Sequence, residues 1–239
     1  KVSAITMPSV FSSEGTISDS VKLCQNLNIE LINHPIKSLV EQYARDFKTA
    51  FDNDLQGLTL ENLQARIRGT ILMEYSNEYA ALLLTTGNKS EISIGYCTLY
   101  GDTNGGLNLL GDLYKTEVYR LAKYINDRAD EEIIPSDIIS KPPAAELAPD
   151  QKDTDSLPPY EVLDEILKYL IEGKQLSPVE YERVKTYVGQ LNSTDPALVN
   201  KIRKMIARNE YKRFQAPPII RLRARAFGNG RQMPIAARY

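Results

Sequence analysis

A hydroxyl, an amide, an ammonium and a carboxylate follow one another in residues 86–91 (TGNKSE), directly after the apolar run 79–85. That run is short enough for a strand that is buried on both faces. In open α/β sheets, ligands bind at the carboxyl ends of the strands. Segment 86–91 is therefore a candidate binding site for a polar ligand. An ordinary connecting loop of the same composition is the alternative.

Two more polar residues, Asn62 and Arg66, stand four positions apart in a stretch with helical periodicity. Thr59 is the predicted cap of this helix, which continues to about residue 77. Its buried stripe consists of Leu60, Leu63, Ile67 and Ile71. Residues four apart share one face of a helix, so Asn62 and Arg66 lie together away from the stripe. From the residues alone, an ordinary solvated face is the simpler interpretation.

The order of the predicted elements indicates an α/β fold with a doubly wound parallel sheet. Strands are predicted at 1–7, 29–36 and 79–85, and helices at 16–27, 38–51 and 59–77. A glycine-rich loop, 101–106, then leads to a helix from Tyr114 to about Arg128. Alternation of strands and helices is typical of a parallel sheet. The only histidine, His34, stands before a proline at a strand exit and is interpreted as structural.

The second half of the chain is predicted to be helical after a long loop. Residues 141–159 contain five prolines and no sustained hydrophobic period, and a loop of this length suggests function or mobility. Ser177 and Asp195 each precede a proline and are predicted to begin helices. The predicted division is an α/β core (1–140), a lid-like loop (141–157), a helical cap (158–211) and a basic tail (212–239).

The composition excludes several classes of protein. The chain has 239 residues, 42% of them hydrophobic and 25% charged, with a formal net charge of -2, which are ordinary globular values. No apolar run approaches the ~18 residues that a membrane span needs. The two cysteines, Cys24 and Cys97, suggest no disulfide framework, and Cys24 is predicted to be a buried thiol. We therefore expect a reduced, cytoplasmic protein with no membrane partner.

Positive charge is concentrated near the C-terminus. Residues 201–239 contain eleven Lys or Arg and a single acid, Glu210. Such a tail is one mark of nucleic-acid binding. The prolines at 217 and 218 and the aliphatic pair Ile219 and Ile220 favour a packed tail instead. We expect no nucleic-acid partner.

Several motifs occur in an order that resembles NAD synthetases, and more narrowly their glutamine-dependent branch. These motifs are NLQARIR (62–68), TTGNKSE (85–91), GYCTLYGD (95–102), GDLYKTEVYRLA (111–122), PPAAEL (142–147), the acidic run 150–155 and EYKR (210–213). Together they span nearly the whole chain. The resemblance implies a Rossmann-like adenine nucleotide α-hydrolase fold of the N-type ATP pyrophosphatase class, with a C-terminal helical cap.

The family's activity is what the resemblance implies for function. The nicotinate carboxylate of deamido-NAD attacks the α-phosphate of ATP, pyrophosphate leaves, and ammonia then displaces AMP to give NAD. Ammonia comes from glutamine through a glutaminase domain. Mg²⁺ accompanies ATP, and relatives form homodimers through this domain. The resemblance therefore implies a carbon–nitrogen ligase.

The resemblance also implies which residues contact the substrates. Thr86 and Lys115 match ATP-binding positions. Asn62, Arg66, Glu91 and Lys212 match positions that hold deamido-NAD, and Glu91 also matches the magnesium ligand, where a carboxylate suits a hard cation. No catalytic residue is assigned. Surface lysines at helix ends are the alternative interpretation of Lys115 and Lys212.

The chain departs from the family's pattern at several points. Ala144 replaces a hydroxyl residue that contacts ATP, whereas Leu99 fits the glutamine-dependent branch. The phosphate loop Ser-Gly-Gly-x-Asp-Ser and the glutaminase domain are not found in the sequence. We therefore expect the C-terminal part of a longer polypeptide that binds ATP weakly alone. The alternatives are a noncatalytic nucleotide-binding or scaffolding module, and another N-type synthetase such as the GMP-forming kind.

Overall fold

The computed structural model describes residues 1–227, which form two compact units. The first unit contains Lys1–Tyr79 and Tyr119–Ser156, and the second contains Ala80–Val118 and the described residues from Leu157 onward. The part of the predicted basic tail after residue 227 lies outside the described residues. Within residues 1–227, every helix is too short or too polar to cross a membrane.

The first unit is built on a parallel strand pair joined by a helix. Strand β1 (Ser3–Thr6) pairs with β2 (Glu30–Asn33), and Ser3 lies opposite Glu30. Between them runs α1 (Glu14–Asn26), which begins where the Ser13 hydroxyl accepts a hydrogen bond from the Thr16 amide at 3.2 Å. The predicted strand–helix–strand order is confirmed, and so is the burial of Cys24.

The first unit also contains two long helices and one short helix, together with most of a further helix, α5 (Lys115–Ala129). The long helices are α2 (Lys37–Phe51) and α3 (Gly57–Glu78), and the short one is α6 (Ser136–Ser140). Ile36, Ile67 and Ile71 form the buried apolar cluster of this unit. The predicted helix cap at Thr59 is wrong, because α3 already begins at Gly57 and Gln56 takes the cap position.

The second unit has its own parallel strand pair, β3 (Leu84–Thr85) and β4 (Leu107–Asn108), with Leu84 opposite Leu107. Helix α4 (Lys89–Ile94) follows β3, and α5 (Lys115–Ala129) has its first residues in this unit. The remaining helices are α7 (Tyr160–Leu167), continued by a π-helical turn at Lys168–Glu172, α8 (Pro178–Thr194), α9 (Pro196–Arg208) and α10 (Glu210–Arg213).

Helix caps that the sequence predicted are found in this unit. Ser177 accepts a hydrogen bond from Glu180 N at 3.2 Å, and Asp195 accepts one from Leu198 N at 3.1 Å. Both helices carry proline in their first turn, where a missing N–H costs nothing. The core of the unit packs α4, α7 and α9 together through Ile94, Tyr114, Leu163, Ile166, Leu167 and Ile202.

The strand predicted over 79–85 is largely wrong. Helix α3 continues to Glu78, and Ala80 then takes a left-handed conformation, with φ 49°. Only Leu84 and Thr85 pair as a strand. The side chains of Leu82 and Leu84 are 66% and 41% exposed, so this is not a strand buried on both faces. The parallel α/β class itself is confirmed.

Candidate active site

Helix α4 holds Glu91 through a reciprocal cap. The Asn88 side chain accepts a hydrogen bond from Glu91 N at 3.0 Å, and the Glu91 carboxylate accepts one from Asn88 N at 3.2 Å. This capping box satisfies two backbone donors at the helix start. Glu91 therefore lies in the first turn of a helix, although the sequence predicted a polar turn there.

Glu91 and Lys115 form an ion pair across two helices. Glu91 Oε1 lies 3.1 Å from Lys115 Nζ, and each side chain is only 20% exposed. Lys115 is the first residue of α5 and also lies 5.5 Å from the centre of the Tyr160 ring. The structure thus brings together one residue predicted to bind deamido-NAD and Mg²⁺ and one predicted to bind ATP.

Thr86 lies at the carboxyl end of β3 and is exposed. Its neighbour Thr85 is buried, and the Thr85 hydroxyl donates to the carbonyl of Asn104 in the glycine-rich loop. Gly105 in that loop has φ 133°, and an added Cβ would lie 2.4 Å from the Thr85 hydroxyl. The loop therefore needs glycine there to approach the strand end.

Lys212 contacts the backbone at the other end of α4. Its Nζ donates to the carbonyls of Gly95 and Cys97, at 2.8 and 2.7 Å. Gly95 ends α4 in a left-handed conformation, with φ 73°, and a cation near a helix C-terminus is favourable. The structure therefore gives Lys212 a role in holding this turn. Its predicted contact with deamido-NAD stays a prediction.

A cavity of about 10 Å³ lies beside Glu91, which is room for about one water molecule. Among the residues that line it are Thr85, Glu91, Cys97 and Asp102. The Asp102 carboxylate accepts a hydrogen bond from Thr98 N at 2.5 Å. Burial raises the pKa of the Cys97 thiol to about 12, and the charge of Asp102 adds to the rise. Cys97 is therefore a neutral thiol in the folded protein.

Asn62 and Arg66 belong to the first unit, on α3. Asn62 is half-buried and Arg66 is exposed, one turn further along the same helix. Gln64, between them, is buried and donates to the carbonyl of Leu147 at 2.9 Å. This bond ties α3 to the segment 141–157.

Segment 141–157 is bonded to the first unit's helices through side chains. Glu146 accepts hydrogen bonds from Ser13 and Thr16, at 3.0 and 2.7 Å, and pairs with Lys141 at 3.3 Å. Although partial burial opposes the charged form, the hydrogen bonds from Thr16 and Ser13 and the contact with Lys141 hold the pKa of Glu146 below its ordinary value. Ala144 is exposed. The predicted closing motion of this segment stays a prediction.

A buried ionic cluster lies on the other side of α4. Lys89 is completely buried, and its Nζ bonds Asp112 at 2.8 Å, Glu172 at 2.9 Å and the Arg225 carbonyl at 2.7 Å. Glu172 also pairs with Arg223 at 3.0 Å. Buried charges are tolerated only when they are paired in this way. The cluster anchors the first residue of α4 through Lys89.

The carboxylates near Glu91 limit how a divalent cation could bind. Among residues 1–227, no group of three or more His, Cys, Asp or Glu side chains is arranged to hold a metal ion. Mg²⁺ in nucleotide sites is commonly held by one or two carboxylates together with substrate phosphates. A single carboxylate, Glu91, fits that arrangement, in which phosphates supply most of the ligands.

The family of the chain is decided by comparison with known proteins. The family model described as NAD synthase matches residues 1–216. The chain belongs to the NAD synthase family. A glutamine-dependent NAD(+) synthetase of Thermotoga maritima is 44% identical over 238 residues, which is 100% of this chain and 40% of that protein. The chain thus spans about two fifths of the length of the curated relatives that it matches.

Solved structures give the same assignment. A glutamine-dependent NAD+ synthetase from Acinetobacter baumannii, in complex with ADP, is 37% identical with a TM-score of 0.57, and the match covers 98% of this chain and 40% of that chain. A glutamine-dependent NAD(+) synthetase from Cytophaga hutchinsonii has a TM-score of 0.75 at 23% identity, over 98% of this chain and 39% of that chain. The second similarity supports the fold alone.

Proposed function

We propose that this chain is the synthetase part of a glutamine-dependent NAD synthetase, a ligase that amidates deamido-NAD to NAD with ATP and ammonia. Membership of the NAD synthase family supports the reaction. The observation that carries the proposal is the Glu91–Lys115 pair, 3.1 Å apart, near the strand end at Thr86. A carboxylate and an ammonium held at this place suit a polyphosphate and the cation that accompanies it.

The residues of this site have separate tasks in the proposed reaction. Lys115 contacts ATP phosphates and stabilises the charge that develops as pyrophosphate leaves, while the Thr86 hydroxyl donates to ATP. Glu91 holds Mg²⁺, which neutralises charge on the phosphates, and lies beside the nicotinate end of deamido-NAD. Phosphoryl transfer depends mainly on such positioning and charge neutralisation. Asn62, Arg66 and Lys212 bind deamido-NAD.

The remaining parts of the proposal concern the setting of the reaction. Ammonia is delivered from glutamine by a separate glutaminase domain, which the relatives' greater length can accommodate. The enzyme is a cytoplasmic homodimer, and segment 141–157 closes over the substrates, since excluding water protects the adenylated intermediate. The division into core, lid, cap and tail is part of this proposal.

The natural polypeptide that contains this chain provides the test. It is incubated with ATP, Mg²⁺, deamido-NAD and either ammonium or glutamine, and NAD, AMP and pyrophosphate are measured. Equal amounts of all three products are expected. AMP formation with xanthylate in place of deamido-NAD would instead support a GMP-forming synthetase. ATP binding without any product would support a noncatalytic module.

A further inference from the structure

A buried carboxylate, Asp164 of α7, bonds to two other helices of the second unit. Asp164 is only 1% exposed. Oδ1 accepts a hydrogen bond from the Ser90 hydroxyl at 2.5 Å. Oδ2 accepts two from Thr116, one from the backbone N at 2.9 Å and one from the hydroxyl at 2.7 Å. Asp164 therefore joins the first turn of α4 to the first turn of α5.

Ser90 extends this connection to the residue that forms the ion pair. Its Oγ accepts a hydrogen bond from the backbone N of Lys115 at 2.9 Å. Ser90 thus accepts from the backbone N–H of Lys115, and Asp164 accepts from that of Thr116. Both donors lie in the first turn of α5, where helices depend on acceptors from outside. A carboxylate at this position also interacts favourably with the positive end of the α5 dipole.

The two bonded residues are sequence neighbours of the two candidate site residues. Ser90 precedes Glu91 on α4, and Thr116 follows Lys115 on α5. A displacement of either helix start would change the 3.1 Å separation of Glu91 and Lys115. We infer that Asp164 is a positioning residue that holds Glu91 and Lys115 at the separation of their ion pair. The inference rests on the proposed function, because it takes those two residues as the groups that meet the substrates.

The environment of Asp164 favours this role over simple filling of the core. Burial raises the pKa of Asp164, and the hydrogen bonds from Ser90 and Thr116 oppose that rise. Its neighbours along α7, Leu163 and Ile166, are fully buried and apolar. An apolar residue at 164 would fill the same space without the cost of desolvating a charge. An apolar side chain could not, however, accept hydrogen bonds from the starts of α4 and α5.

Asp164→Asn in the natural polypeptide is the first variant of the test, with Glu161→Gln as the matched control. Asparagine retains one acceptor oxygen and replaces the other with a donor, so the negative charge and at least one of the three hydrogen bonds that the carboxylate accepts are lost. We expect kcat to fall at least tenfold while KM for deamido-NAD changes less than threefold. Glu161 is exposed on the same helix, and its amide variant should keep both constants.

Ser90→Ala is the second variant, since it removes one link of the connection without placing a new polar group in the core. In a double-mutant cycle, Asp164→Asn and Ser90→Ala should be non-additive because they act on one bonded chain. In a Glu91→Gln background, Asp164→Asn should reduce kcat by less than twofold. If Asp164→Asn reduced kcat by the same factor in the Ser90→Ala and Glu91→Gln backgrounds as in the wild-type protein, the inference would be overturned.

Amide hydrogen exchange gives a readout that does not depend on catalysis. Exchange at Lys115 and Thr116 should accelerate in Asp164→Asn, while amides in the middle of α8, such as Val188, keep their rates. Faster exchange throughout the unit with a lower thermal midpoint would show a purely structural role and overturn the inference. If the wild-type protein made no NAD, the proposed function would fail, and unchanged exchange at Lys115 and Thr116 would separately reject Asp164 as a positioning residue.

Discussion

Lys115 and Glu91 belong to different helices, yet their charged atoms lie 3.1 Å apart and both side chains are four-fifths buried. Exposed ion pairs on protein surfaces contribute about 0–1 kcal/mol, because water screens them and both side chains lose freedom. This pair is held instead by backbone caps at both helix starts, through Asn88 for Glu91 and through Ser90 for Lys115. Protein groups alone therefore fix its geometry, as electrostatic stabilisation of a reaction requires.

Glu91→Gln is predicted to remove most NAD synthesis and leave the fold intact. Glutamine has nearly the same volume and also serves at the third position of capping boxes, so α4 should still form. The variant loses the charge that binds the cation and pairs with Lys115. We expect a rate loss on the order of 10² or more, as for one preorganised electrostatic contact. Steady-state rates at saturating Mg²⁺ are the measurement, and a near-normal rate would reduce Glu91 to a structural cap residue.

Lys212→Ala is predicted to lower kcat/KM for deamido-NAD about ten- to a hundredfold, since hydrogen bonds that involve a charged group contribute about 1.5–3 kcal/mol. KM for ATP should stay nearly constant. Lys204→Ala, an exposed lysine on α9, is the matched control.

The bonds from Lys212 to Gly95 and Cys97 add a second expected effect of Lys212→Ala. The turn after α4 loses the two hydrogen bonds that the Lys212 ammonium donates, so the thermal midpoint should fall as well. A lower thermal midpoint with unchanged kinetic constants for deamido-NAD would show that Lys212 stabilises that turn and does not bind deamido-NAD. Varying each substrate in turn separates the two effects.

Features set by local chemistry could be predicted from the sequence, and features set by distant contacts could not. The starts of α8 and α9 follow from a capping residue followed by proline, both within a few positions. The short α4 was missed, although Asn88 and Glu91 have the spacing of a capping box, because six residues show too little periodicity.

The wrong strand prediction over 79–85 and the omission of Asp164 from the candidate residues have a tertiary origin. Three consecutive leucines, 82–84, suggest a buried strand, but their exposure depends on which elements pack over them. Asp164 reads as one acid among many in an acidic stretch, and its partner Ser90 is 74 positions away in the sequence. No local pattern links the two.

Cys97 is predicted to react slowly with alkylating reagents while the protein is folded. Its pKa is raised from 9.0 to about 12, and only the thiolate is nucleophilic. At pH 8.5, labelling of the Cys97 peptide by iodoacetamide should be about 10³-fold slower than in the urea-unfolded protein, because the thiolate fraction falls by about that factor. Mass spectrometry of the labelled peptide measures this, and equal rates would contradict it.

The same pKa shift predicts how stability changes at alkaline pH. The folded state disfavours the thiolate. The contribution of the Cys97 thiol to the free energy of unfolding is therefore fully present below pH 9.0, and it is lost as the pH rises toward about 12. Relative to Cys97→Ala, the wild-type protein should therefore lose thermal stability progressively above pH 9.0. If the thermal midpoints of the two proteins changed in parallel from neutral to alkaline pH, the result would argue against a buried neutral thiol.

Arg223→Gln is predicted to destabilise the protein far more than Arg221→Gln. Arg223 pairs with Glu172 at 3.0 Å and also with Glu117, and both carboxylates are largely buried. Removing one partner of a buried pair leaves uncompensated charge and costs about 3–5 kcal/mol. Arg221 is exposed and bonds only backbone carbonyls among the contacts that the structure shows, those of Arg223 and Ala224.

The two arginine variants carry the same change of charge, so a difference between them reports burial and pairing. For a protein of this size, 1 kcal/mol shifts the melting temperature by about 2–4 °C, so Arg223→Gln should lower it by about 6–20 °C on the stated cost. The shift should persist at high salt, because buried pairs are poorly screened. Calorimetry of both variants at low and high salt is the measurement. Equal small shifts, abolished by salt, would mean that Arg223 belongs to a charged surface.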